Sequence, residues 1–120
     1  MKKIVCYFVI VLVALTSPAM AQAAPHSAAV SWTAPADANA TTNYNVYRLN
    51  STCPISGIGT ATWTKVASSL TVVNFTDTTI TVGNWCYYVT QVTNGIESAP
   101  GTTAGGQAKP GVVNFSVTIS

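Results

Sequence analysis

The chain has 120 residues, room for a single domain. Five Lys or Arg stand against three Asp or Glu, a formal net charge of +2, and only 7% of residues are charged. So few charges exclude nucleic-acid binding through a basic patch, and a hydrophobic content of 48% excludes a disordered chain.

Residues 1–21 read as a cleaved secretory signal peptide. Lys2 and Lys3 precede an unbroken apolar run from Ile4 to Leu15, and Ala19-Met20-Ala21 is a small-x-small cleavage site. Ala21-Gln22-Ala23 offers a second one. The run is shorter than the roughly 20 residues that span a bilayer, so contact with the membrane is expected only through the export signal. The mature chain is then secreted or periplasmic, with 22–27 as a short tail and 28–120 as the folded domain. Without the leader, Arg48, Lys65 and Lys109 balance Asp37, Asp77 and Glu97, and the charge falls to zero. Cys6 leaves with the leader. Cys53 and Cys86 remain, and two cysteines in an oxidising compartment read as one disulfide, the alternative being two free buried thiols.

The mature chain carries no helical periodicity. Thr, Val, Tyr, Trp and Phe dominate, and Gly, Pro and Asn punctuate at short intervals, the composition of an all-β domain. Ala28, Val30 and Trp32 alternate with polar neighbours. After the loop 34–39, Tyr44, Val46 and Arg48 alternate with Asn45, Tyr47 and Leu49. The segment 50–60 is a loop with Pro54, Gly57 and Gly59. Residues 63–67 read as a short strand near an edge, where Lys65 discourages further pairing. Residues 72–76 and 78–82 form one extended region around Asp77. Residues 85–93 are the strongest strand, closed by Asn94-Gly95, the best hairpin dipeptide in the chain. Residues 101–111 read as a loose linker, with Gly105-Gly106 and Pro110-Gly111. A last strand covers 112–119, with Val113, Phe115, Val117 and Ile119 on one parity. About seven short strands in a hundred residues point to a two-sheet sandwich.

Five segments in this order resemble a fibronectin type III domain over 27–108. Val30-Ser31-Trp32-Thr33-Ala34-Pro35 resembles its second strand, and Tyr44-Asn45-Val46-Tyr47-Arg48 its third. Phe75 to Ile80 resembles the strand before the turn into strand F, Gly83 to Val92 resembles strand F, and Asn94 to Pro100 the turn into the last strand. The resemblance implies an immunoglobulin-like sandwich with Trp32, Tyr44, Val46, Ile80, Trp85, Tyr87 and Val89 in the core. In that register Cys86 and Tyr88 face outward, and the Cys53–Cys86 bridge staples a loop across the outer face of one sheet. The chain departs from the family in three places. Trp85 stands where strand F usually begins with Tyr, so an indole N–H replaces the usual hydroxyl tie or the tie is absent. Gln91 falls where a small core residue is usual. The leader ends about five residues before the second-strand motif, leaving almost no chain for a first strand, while 109–118 looks like a first strand placed at the end. That segment is expected to fill the first-strand position, in cis as a circular permutation or in trans by strand exchange, or else to extend the final strand or form an added edge.

Catalytic inventory is thin. His26 lies in the expected tail and reads as solvated. Asp37, Asp77 and Glu97 fall on separate elements without the fixed separation of a glycosidase pair, and Asp77 reads as a turn cap. Two Cys and one distant His do not make a zinc site, and Gly105-Gly106 lacks the Lys-Ser/Thr of a phosphate loop. No catalytic residue, metal or cofactor is expected. The sequons at Asn39, Asn50, Asn74 and Asn114 are chance products of the composition. Two surfaces are candidates for binding: the outer face, where Tyr47 and Tyr88 lie near each other beside the disulfide, and the loop cluster 34–43 with 93–98. Cross-strand stacking alone also explains the tyrosines. The expectation is a non-catalytic binding or adhesion module contacting protein or carbohydrate at the cell surface. The alternative is a structural subunit that self-associates by exchange of 112–119.

Overall fold

The computed structural model describes residues 26–55, 58–111 and 113–120. The expected export signal and residues 22–25 lie outside the described residues. Eight strands follow in chain order: β1 (His26–Trp32), β2 (Asn43–Leu49), β3 (Thr64–Leu70), β4 (Asn74–Ile80), β5 (Gly83–Thr93), β6 (Ile96–Glu97), β7 (Ala104–Ala108) and β8 (Asn114–Ile119). They form one sheet in the order β4-β1-β8 and a second in the order β3-β2-β5, with β6 and β7 both paired to the far edge of β5. The described residues contain no helix. Trp63 precedes β3 rather than opening it, and β3 is an edge strand with Lys65 exposed.

The core lies between the sheets and follows from strand alternation. In β1, Ala28, Val30 and Trp32 are buried, and Trp32 packs edge-on to Tyr44 with ring centroids 5.5 Å apart. Val46, Ile80, Trp85, Tyr87, Val117 and Ile119 complete the layer. Val89 is partly buried and packs against this cluster from its margin.

The C-terminal strand pairs beside β1 within the same chain. β8 pairs along the whole of β1, from Ser27 opposite Asn114 to Trp32 opposite Ile119. The pairing is parallel. A first strand joined to β1 by a short turn would run antiparallel, so β8 runs in the reverse direction to such a strand and is not a permuted first strand. It buries Val117 and Ile119, leaves Phe115 partly covered, and leaves Val113 exposed.

Three local expectations are corrected. Residues 104–108 are not linker but β7, antiparallel to β5 from Gly83 to Tyr87. Their glycines are there for contact. A Cβ on Gly105 would sit 2.6 Å from the Trp85 carbonyl oxygen and 3.0 Å from Cys53 Sγ, and one on Gly106 would sit 2.6 Å from the Phe115 ring. Gly105→Ala is therefore expected to lower stability by about 1–3 kcal/mol, because backbone cannot yield as a side chain can; an unchanged urea midpoint would contradict the close approach. His26 is not solvated tail. It opens β1, is 7% exposed, and its Nε2 lies 3.1 Å from the Lys109 carbonyl oxygen. The β1–β8 ladder reaches back to Ser27 and brings the chain after β7 over this end of β1. The count of about seven strands becomes eight because the strand after Asn94-Gly95 is broken into β6 and β7. That turn has φ of 53° and 78°, the left-handed pair a two-residue hairpin needs.

Candidate functional site

Tyr47 of β2 and Tyr88 of β5 are direct cross-strand partners. Their rings stack with centroids 4.7 Å apart and planes 16° from parallel. Trp63 meets Tyr88 edge-on at 4.8 Å and is held by its indole N–H, which donates to the Ile58 carbonyl at 3.0 Å. Lys65 Nζ lies 5.6 Å from the Tyr47 ring centroid. The outer face of β2 and β5 thus carries three aromatic rings and one cation.

Glu97 completes this surface. The Asn94-Gly95 turn sets Glu97 opposite Val92, on the face shared by Thr90 and Tyr88. Its Oε1 accepts hydrogen bonds from Tyr47 OH at 2.6 Å, Thr90 Oγ1 at 2.6 Å and Asn45 Nδ2 at 3.0 Å. The bonds from Thr90, Tyr47 and Asn45 hold its carboxyl down at about 2. Tyr47 is raised by burial and by Glu97 beside it. Glu97 is exposed, so its charge faces solvent and any ligand. A side-chain NMR titration is expected to show Glu97 still ionised at pH 3; a midpoint near the ordinary value of about 4.3 would mean the three donors are not engaged.

Cys86 and Tyr88 lie outside the core cluster, yet neither is open to solvent: Cys86 is 0% and Tyr88 7% exposed. The Cys53–Cys86 disulfide is formed and ties the chain after β2 to β5. β7 covers Cys86 from the other side, and Trp63 with Tyr47 covers Tyr88. The accessible part of the surface is therefore Tyr47, Trp63, Lys65 and Glu97. Trp63 and Glu97 did not stand out in the sequence, although the Asn94-Gly95 register does place Glu97 on this face.

Asp77 does more than cap its local backbone. It is 1% exposed within β4, and its Oδ2 accepts from Arg48 Nη1 of β2 at 2.9 Å and from Tyr87 OH of β5 at 2.9 Å. Its Oδ1 accepts from Thr79 N–H at 3.0 Å and Thr79 Oγ1 at 2.7 Å. Burial works to raise its pKa, but the bonds from Thr79, Arg48 and Tyr87 outweigh it and hold the carboxyl below the usual range. Burial, with Asp77 beside it, pushes the Tyr87 hydroxyl far above its ordinary value. This group ties one sheet to the other. Arg48 also covers the Trp85 ring at 4.8 Å, and the Trp85 indole N–H donates to the Thr81 carbonyl at 2.8 Å. The indole therefore supplies the tie expected of a hydroxyl at the start of this strand.

Three strands face a larger sheet, with the third and sixth in chain order of the resemblance side by side and the indole tie closing the turn before β5. The fold is a fibronectin type III-like sandwich. Among solved structures the chain is similar to a Fn3-like protein from Clostridium thermocellum, at 18% identity and a TM-score of 0.45, covering 82% of this chain and 94% of that one. No family model and no curated protein matches the chain.

The other candidate residues of the type III-like domain are dispersed. Asp37 lies in the β1–β2 loop, Asp77 between the sheets and Glu97 on the outer face. Among the described residues, no three His, Cys, Asp or Glu gather as a metal site. The loops 34–43 and 93–98 do meet: Thr41 Oγ1 donates to Asn94 Oδ1 at 2.9 Å, and the Thr42 and Thr93 hydroxyls lie 2.9 Å apart.

Proposed function

We propose that the chain is an exported, non-catalytic binding or adhesion module that contacts protein or carbohydrate at the cell surface through the outer face of β2 and β5. The observation that carries this reading is the fixed cluster of Tyr47, Trp63, Lys65 and Glu97. It combines rigid aromatic area with one cation and one carboxylate already ionised by its neighbours. Rigid aromatic residues with polar handles lose little entropy on contact. The disulfide supports the same reading, since it ties the chain before Trp63 to β5 and suits an oxidising compartment. The apolar run 4–15 behind Lys2 and Lys3 supplies the route of export.

The test is co-sedimentation of the mature domain with the isolated envelope of the cells that export it. Wild type is expected to co-sediment, and a Tyr47→Ser/Trp63→Ser variant with an unchanged melting temperature to lose about tenfold in recovery, as removal of a central aromatic contact does. Equal recovery of both would remove this face from the account.

A further inference from the structure

The strand beside the far edge of β5 is interrupted, and the interruption leaves a polar gap. Near the Asn94-Gly95 end, Ser98 N–H donates to the Gln91 carbonyl at 2.8 Å and Gln91 N–H donates to Ser98 Oγ at 3.0 Å. At the other end, Tyr87 stands opposite Ala104. Residues 88–90 of β5 therefore face the longer stretch 99–103, and the register slips by two residues. In the Gln91–Ser98 register the partner of Val89 is Pro100, which has no N–H to give. Backbone groups along a strand alternate between its two edges, so Val89 points its N–H and C=O to the same edge as Gln91. The Val89 carbonyl faces Gly101, whose Cβ position lies 3.7 Å from it. Among the described residues, 99–103 makes no hydrogen bond to either group.

A cleft of about 220 Å³ opens beside this gap, between the ends of the two sheets. Trp32, Tyr44, Val89 and Ile119 give it an apolar floor, and Gln91 and Ser98 stand at its rim. Trp32 is part of the lining, and its indole N–H is buried and has no acceptor. A second cavity of about 240 Å³ shares Gln91 and Ser98 and continues toward Ile96. The two cavities adjoin at Gln91 and Ser98, beside the interrupted edge.

We propose that the cleft beside the gap binds an extended peptide segment of a partner. The segment lends one backbone C=O to the Val89 N–H and one backbone N–H to the Val89 C=O, the pair that the interrupted strand omits. One apolar side chain rests against Trp32, Tyr44 and Ile119. A peptide fits because it carries a donor and an acceptor at strand spacing next to an apolar side chain. This cleft lies apart from the Tyr47 and Trp63 surface and does not depend on the role given to that surface.

The test uses the folded domain, labelled with ¹⁵N, and the blocked tripeptide acetyl-Thr-Leu-Thr-amide. The expected result is saturable binding with a roughly millimolar Kd, shifts centred on the Val89 amide and the Trp32 indole, and slower exchange of the Val89 amide. The same peptide methylated on the Leu nitrogen cannot donate to the Val89 carbonyl and is expected to bind about tenfold more weakly, the loss of one hydrogen bond. Gly101→Val covers that carbonyl and is expected to abolish binding with an unchanged melting temperature. Equal binding of the methylated peptide, or no shift at Val89, overturns the proposal. So does a Val89 amide that exchanges as slowly as Tyr87 in the free domain. The methylated peptide keeps the test decisive if Gly101→Val fails to fold.

Discussion

Asp77→Ala is expected to destabilise the domain by about 3–5 kcal/mol, because it leaves the Arg48 guanidinium and the Tyr87 hydroxyl without their acceptor between the sheets. Against a total of roughly 5–15 kcal/mol for a native domain, that loss lowers the melting temperature by more than about 10 °C. Asp77→Asn keeps an acceptor for Tyr87 and loses the charge, so it should fall between the two. The pH dependence follows from the direction of the shift. Asp77 has a lower pKa folded than unfolded, so its contribution is complete above the unfolded value of about 3.9. It is lost as the pH falls through the folded value. The gap between wild type and Asp77→Asn should therefore be full at neutral pH and close in strong acid. Urea melts across pH measure this; a loss below about 1 kcal/mol for Asp77→Ala at neutral pH would mean that the triad is solvated.

Reduction of Cys53–Cys86 is expected to cost about 3–4 kcal/mol, the chain-entropy value for a bridge between residues 33 apart. The cost has a local signature. Trp63 meets Tyr88 and donates to the Ile58 carbonyl, so releasing Cys53 should unseat Trp63 while β2 and β5 stay paired. Denaturant midpoints with and without reductant, with tryptophan fluorescence below the transition, separate the global from the local effect. An unchanged midpoint would contradict the staple.

Much of this fold is written into local residue choice. Period-two alternation in Ala28-Val30-Trp32 and in Tyr44-Val46 marks the inner faces, and Asn94-Gly95 fixes a hairpin register because both positions adopt positive φ. The stacked Tyr47–Tyr88 pair follows from that alternation once β2 and β5 are neighbours. What eluded local reading depends on residues far apart in the chain. Gly105 and Gly106 read as linker because their purpose is what they lack, a Cβ that would strike Trp85 and Phe115. Asp77 read as a cap alone because its partners Arg48 and Tyr87 lie on other strands of the opposite sheet. His26 read as tail because its cover comes from Lys109. Glu97 gained its low pKa from three donors on three different strand positions, none adjacent to it in sequence.

The direction of β8 also lay beyond local reading. Alternation marks Val117 and Ile119 as inward but is the same for a parallel or an antiparallel neighbour. Because β8 lies on its own β1, the smaller sheet is completed within one chain. Strand exchange would instead require the same ladder between copies.

Native mass of the mature domain across a wide concentration range, read with hydrogen exchange at residues 114–119, tests this most directly. The account predicts a monomer at every concentration with the β8 amides that pair to β1 already protected. A concentration-dependent ladder of oligomers, with those amides protected only in the assembled forms, would contradict it.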